Sequence, residues 1–204
     1  MRWIAQLFRR RTRLRDGTSL ADFIDQNAAF LVQKGIYEYA RARAGHYAKV
    51  LFGEEGFQRA VEQSRWRAYP LGLAMVGEAV EGVIREHAHS PAAVQQAVFA
   101  LVLSVFDRYP TPAALGEAAW AESRVELDRR LHLIATHARK SAQDIPEPFV
   151  QRYFDCMPIH PKLRGSDFPT IRNYLRITMC NIHDELTKRI DLDSVLQDLR
   201  SGKD

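Results

Sequence analysis

Apolar residues recur at intervals of three and four along almost the whole chain. In SLADFIDQNAAFLVQKGIYEYARARAG, Leu20, Phe23, Ile24, Ala28, Leu31, Ile36 and Tyr39 fall together, the spacing of one buried helical face. Ser19 with Asp22 three residues on predicts a capping-box start, and Gly45 a stop. A shorter helical stretch, HYAKVLFG, follows. From Phe57 to His89 the pattern predicts another helix, broken or kinked at Pro70, because an internal proline removes a hydrogen bond and costs about 3 kcal/mol. Beyond it Gly72, Gly77 and Gly82 recur every five residues. That step turns a helix by about 140°, so the three cannot share one groove. Neighbouring helices pressing close account for them better than a lined cavity does.

Ser90-Pro91 and Thr111-Pro112 repeat one start signal, an N-cap hydroxyl followed by proline at the first helical position. The first opens a segment apolar nearly all round from Val94 to Phe106, which predicts a helix in the middle of a bundle. The second predicts a long amphipathic helix to about Lys140, with Leu127, Leu131 and Ile134 inward. Pro146 and Pro148 begin a short helix ending near Met157, and PIHPKLRGSDFP at 158–169 reads as an irregular loop. Ile171, Leu175, Thr178, Ile182 and Leu186 then line one helical face, and DLDSVLQDLR forms a last short helix. Strand alternation of useful length and internal repeats are both missing from the pattern. The expectation is an all-α, single-domain helical bundle of about seven or eight helices over residues 16–204, behind a separate basic segment, residues 1–15.

Charge sharpens that division. The 204 residues carry a formal net charge of +4, with 46% apolar and 26% charged positions, ordinary values for a globular protein. Residues 1–15 hold six arginines and no acid, which leaves 23 basic and 25 acidic residues in the rest. A nucleic-acid-binding domain carries its basic stripe on the folded body, and this body is almost neutral, so nucleic acid is not an expected partner. AVFALVLSVF at 97–106, the longest apolar run, is about half of what spans a bilayer. The N-terminus places its apolar residues before its arginines, the reverse of a secretory signal, and RR at 9–10 does not lead into the apolar run of a twin-arginine signal. Two cysteines, Cys156 and Cys180, are too few for a disulfide scaffold, so a reduced, cytoplasmic setting is expected.

Four places carry candidate chemistry. On a helical wheel Trp3, Ile4, Leu7 and Phe8 fall within about 140° of arc, with Arg2, Arg9 and Arg13 opposite and Arg10 just outside. Such a helix lies in a membrane interface, apolar side down and arginines at the lipid phosphates. Arg11 and Arg15 interrupt the arc, so the amphipathic face lasts about two turns. A solvated first helix and a transit-type segment are the competing readings. Cys156 with His160, and Cys180 with His183, present two Cys–His pairs, but their spacing matches no common zinc module, and small buried cysteines explain them better. No metal and no cofactor are expected. Glu86-x-x-His89 in GEAVEGVIREHAH resembles half of a di-iron pair without a second half, and reads instead as a solvated helix end. Finally, the 158–169 loop gathers His160, Lys162, Arg164, Ser166 and Asp167. Such a loop suits an anion or a partner surface, although Asp167 also reads as a helix cap. A Gly-x-Ser-x-Gly elbow and a phosphate-cradling glycine loop do not occur.

The run ADFIDQNAAFLVQKGIYEYARARAG, followed by SRWRAYPLGL, resembles the first half of a group of small helical alphaproteobacterial proteins, some of which carry an esterase label. That resemblance spans residues 21–73 and implies a bacterial protein, cytosolic or membrane-peripheral. It supplies no catalytic residues. The sequence therefore points to a helical binding or interaction protein. Its expected contacts are a protein partner, a second copy of itself, or an anionic membrane surface met through the basic N-terminus. The alternative is a small esterase-like hydrolase or a helical ligand-binding enzyme.

Overall fold

The computed structural model describes residues 12–201. Among these the chain is all-α. Its helices are α1 (Gly17–Ala44), α2 (Ala48–Leu51), α3 (Glu55–Arg85), α4 (Pro91–Asp107), α5 (Glu117–Ile134), α6 (Val150–Asp155), α7 (Pro161–Arg164), α8 (Phe168–Arg189) and α9 (Leu192–Ser201), with a 3-10 turn at Gly45–Tyr47. Two of the nine, α2 and α7, are four-residue turns, so the longer helices number seven, as the periodicity predicts.

Local signals explain most boundaries. Asp16, not Ser19, is the N-cap of α1: its carboxylate accepts from the Ser19 amide at 2.7 Å, and the Ser19 hydroxyl accepts from the Asp16 amide at 3.2 Å. That reciprocal pair satisfies amides that the helix leaves open. Gly45, at φ 54°, ends α1 in a conformation a side chain would oppose. Leu20, Phe23, Ile24, Ala28, Leu31, Ile36 and Tyr39 are all buried, as are Leu127, Leu131 and Ile134 and the predicted face of α8.

The centre of the bundle is α3, which packs against α1, α4, α5, α6 and α8. Every residue from Ala68 to Ile84 is buried. The expectation that 94–106 would be the central helix fails, since α4 leaves Gln96, Ala100 and Ser104 exposed. The reason is the small residues of α3, which let neighbours approach on all sides. A methyl group on Gly72 would stand 2.9 Å from Val32 of α1; on Gly77, 2.7 Å from Val102 of α4; on Gly82, 3.3 Å from Arg139 in the segment after α5. The five-residue spacing thus sends three close approaches to three different neighbours. Pro70 does not break α3, which continues from Glu55 to Arg85 through it. Burial on every side outweighs one missing hydrogen bond.

Two further expectations shift. Thr111-Pro112 opens a turn, and α5 starts only after Gly116 at φ 78°. It stops at Ile134 instead of Lys140, because His137, Arg139 and Lys140 reach back to carboxylates on α3. Prolines 146 and 148 fall in turns before α6. Elsewhere α1 is tied to α6 and α8 through one carbonyl. The hydroxyls of Tyr153 and Tyr174 donate to Leu31 O at 3.2 and 2.9 Å, over the bare backbone of Gly35. Between α5 and α6, Glu126 accepts from Arg129 at 2.8 Å, Arg130 at 2.9 Å and Arg152. The Arg129 bond leads in lowering its carboxyl from 4.5 to about 2, against the opposing effect of burial.

Gly35→Ala should therefore cost about 1–3 kcal/mol by driving a methyl group into two tyrosines. Gly56→Ala, in the open first turn of α3, should be neutral or stabilising by up to about 1 kcal/mol; urea midpoints of both check this. The folded-state pKa of Glu126 lies below its ordinary value, so its stabilisation is complete above about pH 4.5 and disappears as pH falls towards 2. Between about pH 5 and about pH 3, Glu126→Gln should lose less stability than the parent chain in urea titrations.

Candidate functional site

Of the residues expected to dock, Arg2, Trp3, Ile4, Leu7, Phe8, Arg9 and Arg10 lie outside the described residues. Their junction with the bundle is described. Leu14 is 2% exposed and belongs to the core. Its amide donates to Arg189 O at 3.0 Å and its carbonyl accepts from the Asp191 amide at 2.9 Å, a parallel bridge beside Ile190 between α8 and α9. Arg189 also donates to Thr12 O at 3.1 Å. Arg13 and Arg15, on either side of Leu14, keep exposed side chains and stand 4.0 and 3.7 Å from Asp191.

The five loop residues do not converge, and Ser166 is exposed. His160 accepts from the Lys162 amide at 3.3 Å and starts α7, while Lys162 is exposed. Arg164 turns inward and is buried. Its guanidinium donates to the carbonyls of Phe154 and Ile159, both at 2.7 Å, of Met157 at 2.8 Å and of Asp155 at 3.3 Å. It closes the exposed carbonyl end of α6. Asp167 stands at the N-cap position of α8 as expected, but its side chain makes no capping hydrogen bond; it accepts from the Tyr39 hydroxyl at 2.9 Å and pairs with Arg43 at 3.3 Å. Burial, reinforced by Asp167, pushes the Tyr39 phenol up to about 12.

The acids of GEAVEGVIREHAH divide. Glu86 and His89 lie exposed just beyond the end of α3, but Glu78 and Glu81 are 5% and 1% exposed. Lys140 stands 2.9 Å from Glu78 as an ion pair rather than an aligned hydrogen bond, and His137 is 3.8 Å away. Glu81 pairs with Arg85 and accepts from Gln95, both at 3.2 Å. Burial raises its carboxyl, and Arg85 opposes that. Arg139 pairs with Glu86 and contacts His183 at 3.0 Å, so the segment 136–140 straps α3 to α8. Burial, then Arg139, lowers the His183 pKa.

The cysteines are not the fully buried pair expected from the sequence. Cys180 is exposed and Cys156 half-buried, its thiol pushed up to about 11 by burial. Cys156 lines a cleft of about 540 Å³ with Arg67, Pro70, Glu126 and Arg152; Ser123, in the same cleft, donates back to Ala119 O at 2.8 Å. No three side chains of His, Cys, Asp or Glu are clustered to hold a metal among the described residues. No helix among them is long and apolar enough to cross a membrane.

A smaller pocket, of about 210 Å³, is one that sequence reading missed. Ala29, Val32 and exposed Gln33 of α1 form one wall, Arg65, Trp66 and Tyr69 of α3 another, and Tyr109 after α4 closes it. The rings stand edge to face, Trp66 to Tyr69 at 5.9 Å, Trp66 to Tyr109 at 5.5 Å and Tyr69 to Tyr109 at 5.4 Å. Asp25 fixes the two phenols, accepting from Tyr69 at 2.7 Å and from Tyr109 at 2.9 Å. Burial and this carboxylate raise both phenol pKa values, so they remain neutral donors. The three-residue spacing of Trp66 and Tyr69 was the only local signal; Asp25 lies 44 residues from Tyr69 and 84 from Tyr109.

No protein-family model, curated protein or solved structure matches the chain. Within the loop, Arg164→Met should cost about 2–4 kcal/mol by removing charged hydrogen bonds and leaving carbonyls open, whereas Lys162→Ala should stay within about 0.5 kcal/mol. Thermal melts of the two variants would separate the structural arginine from the free lysine.

Proposed function

We propose that the chain is a helical binding protein that docks to an anionic membrane surface through residues 1–15. The observation that carries this reading is the Leu14 staple. It ties the basic segment to the corner between α8 and α9 while Arg13 and Arg15 stay exposed. A segment fastened at its base transmits attachment to the whole bundle. The charge distribution agrees, because the positive excess sits in this segment and the remainder is close to balance. Trp3, Ile4, Leu7 and Phe8 supply apolar area for the interface, and the arginines supply attraction worth about 1 kcal/mol each near anionic lipid. Binding of this kind weakens with salt.

The test uses the full chain, since a truncation at Asp16 would also remove Leu14 from the core. Vesicles containing phosphatidylserine should sediment the parent protein. R9E/R10E/R11E should lower the partition coefficient about 100-fold or more, and W3A/L7A should lower it with little effect on stability. Equal sedimentation of all three proteins, or equal binding to neutral phosphatidylcholine vesicles, would refute the docking role.

A further inference from the structure

We propose that the pocket between α1, α3 and Tyr109 is a binding site for a small aromatic carboxylate, with Arg65 as the group that receives its charge. Three observations converge on that class, all independent of the docking segment. The first is size. An apolar cavity of about 150 Å³ accepts benzene, and this pocket of about 210 Å³ has room for one ring with a short acid arm. The second is the wall. Trp66, Tyr69 and Tyr109 meet edge to face, an arrangement that offers a flat guest both ring faces and ring edges. Hydrogen bonds to Asp25 hold both phenols, so the walls are set before any ligand arrives.

The third observation selects the charge. Arg65 lines the pocket, and no carboxylate among the described residues pairs with its guanidinium. The planar guanidinium fork matches a carboxylate in shape as well as charge. A quaternary ammonium, the usual guest of aromatic boxes, would meet this same guanidinium. The nearby carboxylate, Asp25, already accepts from Tyr69 and Tyr109, and Arg108, paired with Asp22 at 2.8 Å, stands 4.0 Å from it. A neutral aromatic would fill the space and leave Arg65 without a paired carboxylate.

The probes are phenylacetate, its neutral counterpart 2-phenylethanol, and benzyltrimethylammonium, titrated into the full-length protein without lipid and followed by calorimetry. Phenylacetate should bind saturably with one-to-one stoichiometry, about tenfold or more tightly than either of the others. Arg65→Met should weaken phenylacetate about tenfold or more and leave 2-phenylethanol within about twofold. Ala29→Leu, which fills the pocket from the α1 side and touches no charge, should abolish binding of both. Unchanged melting curves would show that each variant keeps its fold; a variant that melts early is replaced by Arg65→Gln or Ala29→Val, with the same expectations. The proposal is overturned by any one of three results: no saturable phenylacetate binding, affinity within twofold after Arg65→Met, or tighter binding of the ammonium compound.

Discussion

Close approach around α3 is the constraint on which the rest of the molecule depends. From Ala68 to Ile84 the helix meets neighbours on every side, and it can do so because glycines occupy the points of nearest contact. Val32 of α1 stands where a side chain on Gly72 would be, and Val102 of α4 where one on Gly77 would be. Protein interiors are packed about as densely as organic crystals, so positions this tight fix the distances between the outer helices. The crossing of α1 by α6 and α8 obeys the same rule, with Gly35 leaving room for two tyrosine hydroxyls at one carbonyl.

Enclosing α3 also buries two glutamates, and their desolvation organises the segment after α5. A carboxylate removed from water needs a partner nearby. Lys140 and His137 approach Glu78, Arg85 and Gln95 serve Glu81, and Arg139 reaches Glu86. These pairings explain why α5 ends at Ile134 although the sequence beyond it still favours a helix. The strap they form then places Arg139 against His183 of α8. A core demand thus shapes an irregular segment far along the chain.

The two elements proposed to carry function stand in different relations to this framework. The basic segment is fastened to the α8–α9 corner, where Leu14 contributes one buried side chain and two backbone hydrogen bonds. The aromatic pocket is built into the framework itself. Trp66 and Tyr69 lead into the buried stretch of α3, α1 supplies the facing wall, and Asp25 on α1 joins both phenols. Its shape is as fixed as the α1–α3 contact. The Leu14 anchor of the proposed docking segment and the proposed ligand pocket therefore draw on different residues of the bundle.

The sequence by itself determined the helical faces of α1, α5 and α8, the stop at Gly45 and the concentration of positive charge ahead of Asp16. Each of these depends on residues within a few turns of one another, which the 3.6-residue period makes visible. Tertiary structure alone decided that α3 and not α4 lies at the centre, that Pro70 remains inside a helix, that Glu78, Glu81 and Arg164 turn inward, and that Asp25 joins Tyr69 to Tyr109. Glycine, alanine and glutamate in α3 look too small or too polar for a central helix until the neighbours that fill their surroundings are known. Those neighbours come from distant positions, and their approach is set by how whole helices pack, which periodicity does not encode.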